Sequence, residues 1–453
     1  VAFGAQRFIA VLGGLVFTFA NNLWLHVYWI QLLTVWLVPG ILLLGVLALR
    51  AWPAHRIRSL VLAAAFGLLA AFIFLTDFYT AWFCTIAACV AFIILLISLR
   101  SRLVNRILTQ LRSSWWLFLT MGMAFAVGLV PFLLVYLPAR GTLRHQGYAA
   151  IMSGAPRPRD LLNVGLGNVF WTSIVRHVVP APDQVHSWLT WAVTPLVMTL
   201  AVVGAALALW MSRRDGGRGQ SATALSAGVL AATAVVLCLA SVRTDLGSMW
   251  AVIWHVPGAT AIRRTYRIGA VTDLVAALAL VCAASVVYRV AGNSAYRSLS
   301  RATVVFLLLL AVAEQINTTR FPSELPGDSG VGLDRAAQLA FLRSATPPPS
   351  GCRSFFALDT VHRKPLSAGK RHAVTSADQL DAMLISQKYR IPTLNGFSSY
   401  FPSGWGLRYP NAPGYLGAVR SWAAEHRVQD GLCRLDLGTM RWQMEPAPAV
   451  RSR

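Results

Sequence analysis

Long apolar runs broken by short polar segments dominate the first two-thirds of the chain. About 20 mostly apolar residues suffice to cross a bilayer as a helix. On that measure the pattern predicts nine spans, at 8–22, 27–49, 57–76, 81–99, 115–137, 188–210, 222–241, 268–288 and 302–316, the first and last being the shortest. Pro39, Pro131 and Pro195 fall inside predicted spans, where neighbouring helices can satisfy the carbonyls a proline frees. Beyond residue 316 the pattern changes. Pro347-Pro348-Pro349 marks a stiff break. After it come β-like runs at Ser354–Leu358, Arg434–Leu437 and Met440–Met444, and one helical pattern at Ala377–Lys388. The expected organisation is an all-α polytopic membrane bundle over 1–316, followed by a small α/β domain over 317–453.

Composition supports the membrane reading. Hydrophobic residues make up 56% of the chain and charged residues 13%, against about 25% charged in a typical soluble protein. Up to residue 316 the acids are only Asp77, Asp160, Asp183, Asp215, Asp245, Asp273 and Glu314. The net charge of +23 raises the question of a nucleic-acid partner. Its distribution argues against one, because the arginines of the first two-thirds cluster between apolar runs.

Those clusters orient the bundle. With nine spans, Arg7, Arg50, Arg56, Arg58, Arg100, Arg102, Arg106, Arg112, Arg213, Arg214, Arg218, Arg289, Arg297 and Arg301 all fall on one side. The short loops around Asn21–His26 and Thr76–Thr80 on the other side carry no Lys or Arg. The positive-inside rule makes the basic side cytoplasmic. Loops 138–187 and 242–267 and the tail are then expected outside the cytoplasm. Cys352 and Cys433, the two cysteines of that tail, can pair in an oxidising compartment. Cys84, Cys89, Cys238 and Cys282 lie in or beside apolar runs and read as small buried hydrophobes. No metal-ligand spacing is present.

Candidate chemistry concentrates at the extracytoplasmic ends. Asp77, in Thr-Asp-Phe-Tyr, fits either a functional acid at membrane depth or the cap of the following helix. The loop from His255 to Arg267 carries Arg263, Arg264, Tyr266 and Arg267 immediately before a span, against the topological bias. Arginine forks suit phosphate, and a phosphate at this depth belongs to a lipid. Arg140 and Arg144 follow the fifth span on the same side and either join that site or sit in solvated loop. Asp160 is expected to cap or to pair with Arg159, and Asp273 to pair with Arg264 or Arg267. Glu314 either faces the bundle interior or marks the water boundary. In the tail, Asn395-Gly396 predicts a tight turn with positive φ. Phe397, Tyr400, Phe401, Trp405 and Tyr409 are expected to fill a small core.

Taken together, His255-Val-Pro-Gly with Ile262-Arg263 and Arg267 resembles a loop motif of multi-pass bacterial proteins related to the GT-C glycosyltransferases. Leu32-Leu33, Trp36 and Pro39 within Asn22–Arg50, Glu314-Gln315, Asn395-Gly396-Phe397-Ser398 with Pro402, and Cys433 to Leu437 with Trp442 are similar to further segments of the same proteins. The resemblance implies a bacterial inner-membrane enzyme. It would move a sugar from a polyprenyl-phosphate donor to a glycan, lipid or protein acceptor on the extracytoplasmic face. It also implies an essential Asp in the first extracytoplasmic loop. Asn21–His26 carries no acid, so that Asp is expected upstream of Val1, with Asp77 the weaker substitute. No cofactor is fixed by these motifs, and a divalent cation at the leaving phosphate is compatible with them. Two other readings stand beside this one, a transporter or flippase for a lipid-linked or polyanionic substrate and a non-catalytic cell-envelope assembly protein.

Overall fold

The computed structural model describes residues 5–26, 30–52, 54–98, 109, 112–142, 147–165, 167–178, 193–215, 218–291, 297–318, 335–358, 374–396, 401–402, 404–410 and 412–446. The chain divides into two compact units, one of Val1–Pro138 with His145–Thr319, the other of Ala139–Arg144 with Arg320–Arg453.

The first unit is helical because a chain in hydrocarbon must satisfy its own backbone. Its elements are α1 (Arg7–Thr18), α2 (Asn21–Leu25), a 3₁₀ stretch (Ile30–Leu37), α3 (Val38–Ala51), α4 (Arg56–Thr76), α5 (Phe78–Ser98) and α6 (Trp115–Thr142). The short α7 (Tyr148–Ser153) and α8 (Thr172–Val178) precede α9 (Pro195–Asp215) and α10 (Arg218–Ser241). α11 (Trp250–Ile253), α12 (Gly269–Ala291) and α13 (Arg297–Ala313) complete it. Among the described residues, eight helical stretches are long and apolar enough to cross a membrane. The expected ninth falls on α13, whose 17 residues reach only about 26 Å at 1.5 Å per residue.

Pro39 and Pro131 lie inside spans as expected, whereas Pro195 begins one. Pro39 stands in the first turn of α3, and Pro195 is the first residue of α9. A first-turn proline lacks only an N–H that has no helical partner there. Pro131 alone of the three lies beyond the first turn of its helix, α6.

α12 is the central helix, buried along most of its length and packed by α1, α9, α10 and α13. Its contact faces are alanine-rich, and Gly13 and Gly204 meet it from α1 and α9. Small residues let membrane helices approach closely, and van der Waals contact then holds them. α4 and α6 show the limit of this approach: a Cβ on Gly67 would lie 2.3 Å from the Met121 carbonyl oxygen. Large apolar side chains such as Ile57, Ile97, Leu134 and Val203 point outward, as lipid-facing positions require.

The second unit is α/β. β1 (Ser354–Leu358) pairs in parallel with β2 (Leu432–Asp436), which pairs antiparallel with β3 (Arg441–Met444), in the order β1-β2-β3. Alternation along β1 sends Phe355 and Ala357 to one face, against α14 (Arg335–Ser344) and α15 (Val374–Tyr389). Phe356 faces the other side, against α16 (Tyr415–Glu425). A Cys352–Cys433 disulfide ties the chain just before β1 to the middle strand.

Asn395-Gly396 is not the expected positive-φ turn, since neither residue has positive φ. The Asn395 amide serves the sheet edge instead. Its Oδ1 accepts the Ala357 N–H at 2.6 Å and its Nδ2 donates to the Tyr415 hydroxyl at 3.0 Å. Of the expected aromatic cluster, Phe397 and Tyr400 lie outside the described residues. Phe401 and Trp405 stack in parallel with centroids 4.3 Å apart, and Tyr409 is exposed.

Candidate functional site

The site begins where α4 ends and α5 starts. Asp77, buried between them, accepts the backbone N–H groups of Tyr79 at 3.1 Å and Thr80 at 3.2 Å, and also the Thr80 hydroxyl. This is helix capping, and it engages the carboxylate with three donors. Burial pushes the Asp77 pKa up, while those hydrogen bonds and the positive charge of Arg267 pull it down. With its carboxyl so occupied, Asp77 serves to fix the first turn of α5, which carries Tyr79 and Trp82.

Both aromatics hold the arginine loop. The Trp82 indole donates to the Pro257 carbonyl at 2.9 Å. Gly258 follows with φ +89°, and a Cβ there would press on Trp82 and Phe78 at about 3 Å. The Pro-Gly of the motif is thus a backbone requirement, because only glycine takes this φ without strain. The Tyr79 hydroxyl accepts the Arg263 N–H at 2.8 Å, and the Arg267 guanidinium lies 4.8 Å from the Tyr79 ring centroid. Arg267 also hydrogen-bonds Tyr266, whose ring stacks on His26 with centroids 6.0 Å apart.

The Arg263 backbone and the Arg267 guanidinium therefore both meet Tyr79, and Arg267 brings in Tyr266. Arg264 takes another direction, its guanidinium lying over Gly154 so closely that a Cβ there would collide with it. His255 is exposed and has no side-chain hydrogen bond or ion pair among the described residues. Arg140 stands in the last turns of α6 without a described side chain, and Arg144 lies outside the described residues. Asp160 accepts the Arg157 N–H at 2.7 Å and so caps its own turn.

His26 was not among the expected site residues. It is buried, and its ring bonds the Asn22 carbonyl through Nδ1 at 2.8 Å. Burial pushes its pKa down to about 4; the Asn22 hydrogen bond opposes this and the nearby charge of Arg267 reinforces it. At neutral pH the ring is uncharged. Nδ1 then carries the proton that goes to the carbonyl, which makes Nε2 the acceptor.

A second polar assembly lies at the same end of the helices. Glu314, following α13, is fully buried. Its Oε1 accepts the Trp171 indole at 2.6 Å and the Leu196 N–H at 2.8 Å. Its Oε2 accepts the Thr194 hydroxyl at 2.5 Å and the Val197 N–H at 3.1 Å. Glu314 thus caps α9 from another helix, with its charge at the positive end of the helix dipole. Gln315 accepts the Asn21 N–H at 3.0 Å and donates to Thr194 at 2.8 Å. Asn21 bonds the Val164 carbonyl, Asn168 and Asn317. Of the two roles open to Glu314, the buried one is found. Glu314-Gln315 and the consecutive Asn21-Asn22 were the signals available; their long-range partners were not.

Asp273 pairs with neither Arg264 nor Arg267. The Asn22 side chain, brought in by α2, donates to its carboxyl instead. Among the described residues no group of three His, Cys, Asp or Glu is placed to hold a metal ion. No family model, curated protein or solved structure matches the chain.

Proposed function

We propose that this chain recognises a lipid-linked phosphate at the extracytoplasmic ends of its helices and acts as a membrane glycosyltransferase of the GT-C type on a polyprenyl-phosphate sugar donor. One observation carries the reading. At the head of the central span an irregular loop brings the Arg267 guanidinium against Tyr79 and Tyr266 and holds the Arg263 backbone on the Tyr79 hydroxyl, a depth at which a lipid headgroup would lie. Guanidinium forks suit phosphate oxygens, and the adjoining bilayer suits a polyprenyl tail.

In such a transfer the sugar–phosphate bond breaks and charge develops on the leaving phosphate. Arg267 and Arg263 would stabilise that charge, and the Tyr79 and Tyr266 hydroxyls would orient it. Neutral His26 adds no competing cation beside Arg267 and keeps one face of Tyr266 packed. Asp77, committed to its helix cap, supports the loop rather than removing the acceptor proton, so these residues account for the phosphate half of the reaction.

The test titrates polyprenyl phosphate into the full chain in lipid nanodiscs. R263A and R267A each remove charge-assisted hydrogen bonds of about 1.5–3 kcal/mol, so affinity should fall roughly tenfold to a hundredfold. Membrane insertion should be unchanged. Affinity equal to that of the parent protein would overturn the phosphate role. A second reading, a transporter for the same anion, is favoured by the break between α1 and α2 beside a buried acid, since interrupted helices line transporter sites. Exchange of the lipid between leaflets without sugar transfer would select it.

A further inference from the structure

Asp273 is a carboxyl on the central helix, 6% exposed, and Asn22 on α2 is 3% exposed. Asn22 donates an amide hydrogen to the Asp273 carboxyl. That leaves two buried oxygens, Asn22 Oδ1 and Asp273 Oδ2, without a hydrogen-bond partner. Both are acceptors, and both belong to groups already joined to each other. Among the described residues no arginine pairs with the acid. A buried acid in a membrane helix is costly unless its charge is compensated, and two buried acceptors beside each other call for a donor or a cation rather than for a further acceptor. Two residues upstream of Asn22 the helix is interrupted at Phe19–Ala20. Breaks of this kind turn backbone carbonyls out of the helical ladder, and such carbonyls serve as cation ligands in membrane proteins.

We propose that Asn22 and Asp273 form the core of a binding site for one small monovalent cation, a proton or an alkali ion. As a proton, it sits on Asp273 Oδ2 and is donated to Asn22 Oδ1. The acid and the amide then make a two-way hydrogen-bonded pair, and both orphan oxygens are satisfied. As an alkali ion, it takes the same two oxygens. In either form the cation clamps α2 to the central helix. The titratable groups around the site are Cys238 on α10, which feels the Asp273 charge, and His26, bonded to the Asn22 carbonyl. Arg267 lies beyond His26.

The experiment uses the full chain in detergent micelles. Its thermal midpoint is followed while sodium replaces choline at constant ionic strength and pH, and the infrared spectrum is recorded for the carbonyl stretch of a protonated carboxylic acid. A midpoint that rises with sodium and no longer does so in D273N identifies an alkali ion. A sodium-independent midpoint with an acid band at neutral pH that disappears in D273N identifies a proton. C238S should leave either signature in place. If D273N fails to accumulate, N22A is read instead, and it must weaken the sodium response or shift the acid band. Absence of both signatures, or their persistence in D273N, overturns the site. This outcome is independent of the phosphate titration, because neither residue belongs to the arginine cluster.

Discussion

Replacing Glu314 tests whether a single carboxylate holds the loop-bearing end of the bundle in place. In E314A, the Leu196 and Val197 N–H groups, the Trp171 indole and the Thr194 hydroxyl all lose their acceptor. Hydrogen bonds to a charged group contribute about 1.5–3 kcal/mol each, but they are not additive here, since water entering the void recovers part of the loss. The net cost should be about 3–5 kcal/mol, the range for removing one partner of a buried charged contact. E314Q should be milder. Its amide oxygen can keep Trp171 and Leu196, and its NH₂ can donate to Thr194 once that hydroxyl turns. The Val197 N–H and the turned Thr194 hydroxyl proton are then orphaned, two donors against the four that lose their acceptor in E314A, at about 1–3 kcal/mol each before water recovers part of it.

Two assays read this ordering. The thermal midpoint should fall in the order parent, E314Q, E314A. Trypsin reports local opening, because exposed Arg176 lies on α8, five residues beyond Trp171. Loss of the indole bond of about 1.5–3 kcal/mol should speed cleavage after Arg176 roughly tenfold to a hundredfold. W171F, which removes that bond alone, should reproduce the proteolysis with a smaller change in midpoint. Equal damage from E314Q and E314A, or unchanged cleavage in E314A, would refute the argument.

Two other outcomes follow from single groups. The pKa of His26 falls from the usual 6.5 to about 4 on folding, so below pH 6.5 the unfolded chain binds the proton more readily. Stability should therefore be unaffected above pH 6.5 and drop by about 3 kcal/mol as pH falls to 4; a pH–stability curve of H26Q with the same drop would exclude this histidine as its source. The Cys352–Cys433 bond spans a sequence separation of 81 residues, for which the chain-entropy treatment gives about 4.5 kcal/mol. The C352S/C433S double variant should lower the unfolding midpoint of the tail and abolish its sensitivity to reductant.

The spans were legible because a bilayer demands a long apolar run whatever the rest of the protein does. Predicted 57–76 and 81–99 match α4 and α5 within a few residues. Strand Ser354–Leu358 was legible as a continuous apolar run, which suits a strand buried on both faces. Helices α14 and α16 went unread because their apolar stripes are short and interleaved with charge. Pro195 shows a different limit. It looked like an interruption within a span, yet it starts α9, and the cap that makes this favourable comes from Glu314, more than a hundred residues away. At the site, the arginine loop announced itself through charge against the topological bias. Tyr79 and His26 did not, since one tyrosine or histidine at a span end has no periodic signature. Asp273 drew the wrong partner for a related reason: arginines close in sequence were the visible candidates, while Asn22 reaches it only through the folded bundle.

That folded bundle gives α2 a role out of proportion to its length. Five residues cannot sustain a helix on their own, so α2 holds its place through tertiary contacts. Asn21 joins the Glu314–Gln315 assembly, Asn22 joins Asp273 on the central helix, and His26, at its end, stacks on Tyr266 beside the arginines. Three consecutive contacts tie a short rigid piece to the α9 cap, the central span and the candidate phosphate site. A disturbance at Glu314 should therefore be felt at Asn22, although the two side chains share no bond. A double-mutant cycle between E314Q and N22A should give a coupling of about 0.5–3 kcal/mol. Additive behaviour in that cycle would mean that α2 transmits nothing, and that the polar assemblies at this end of the bundle act independently.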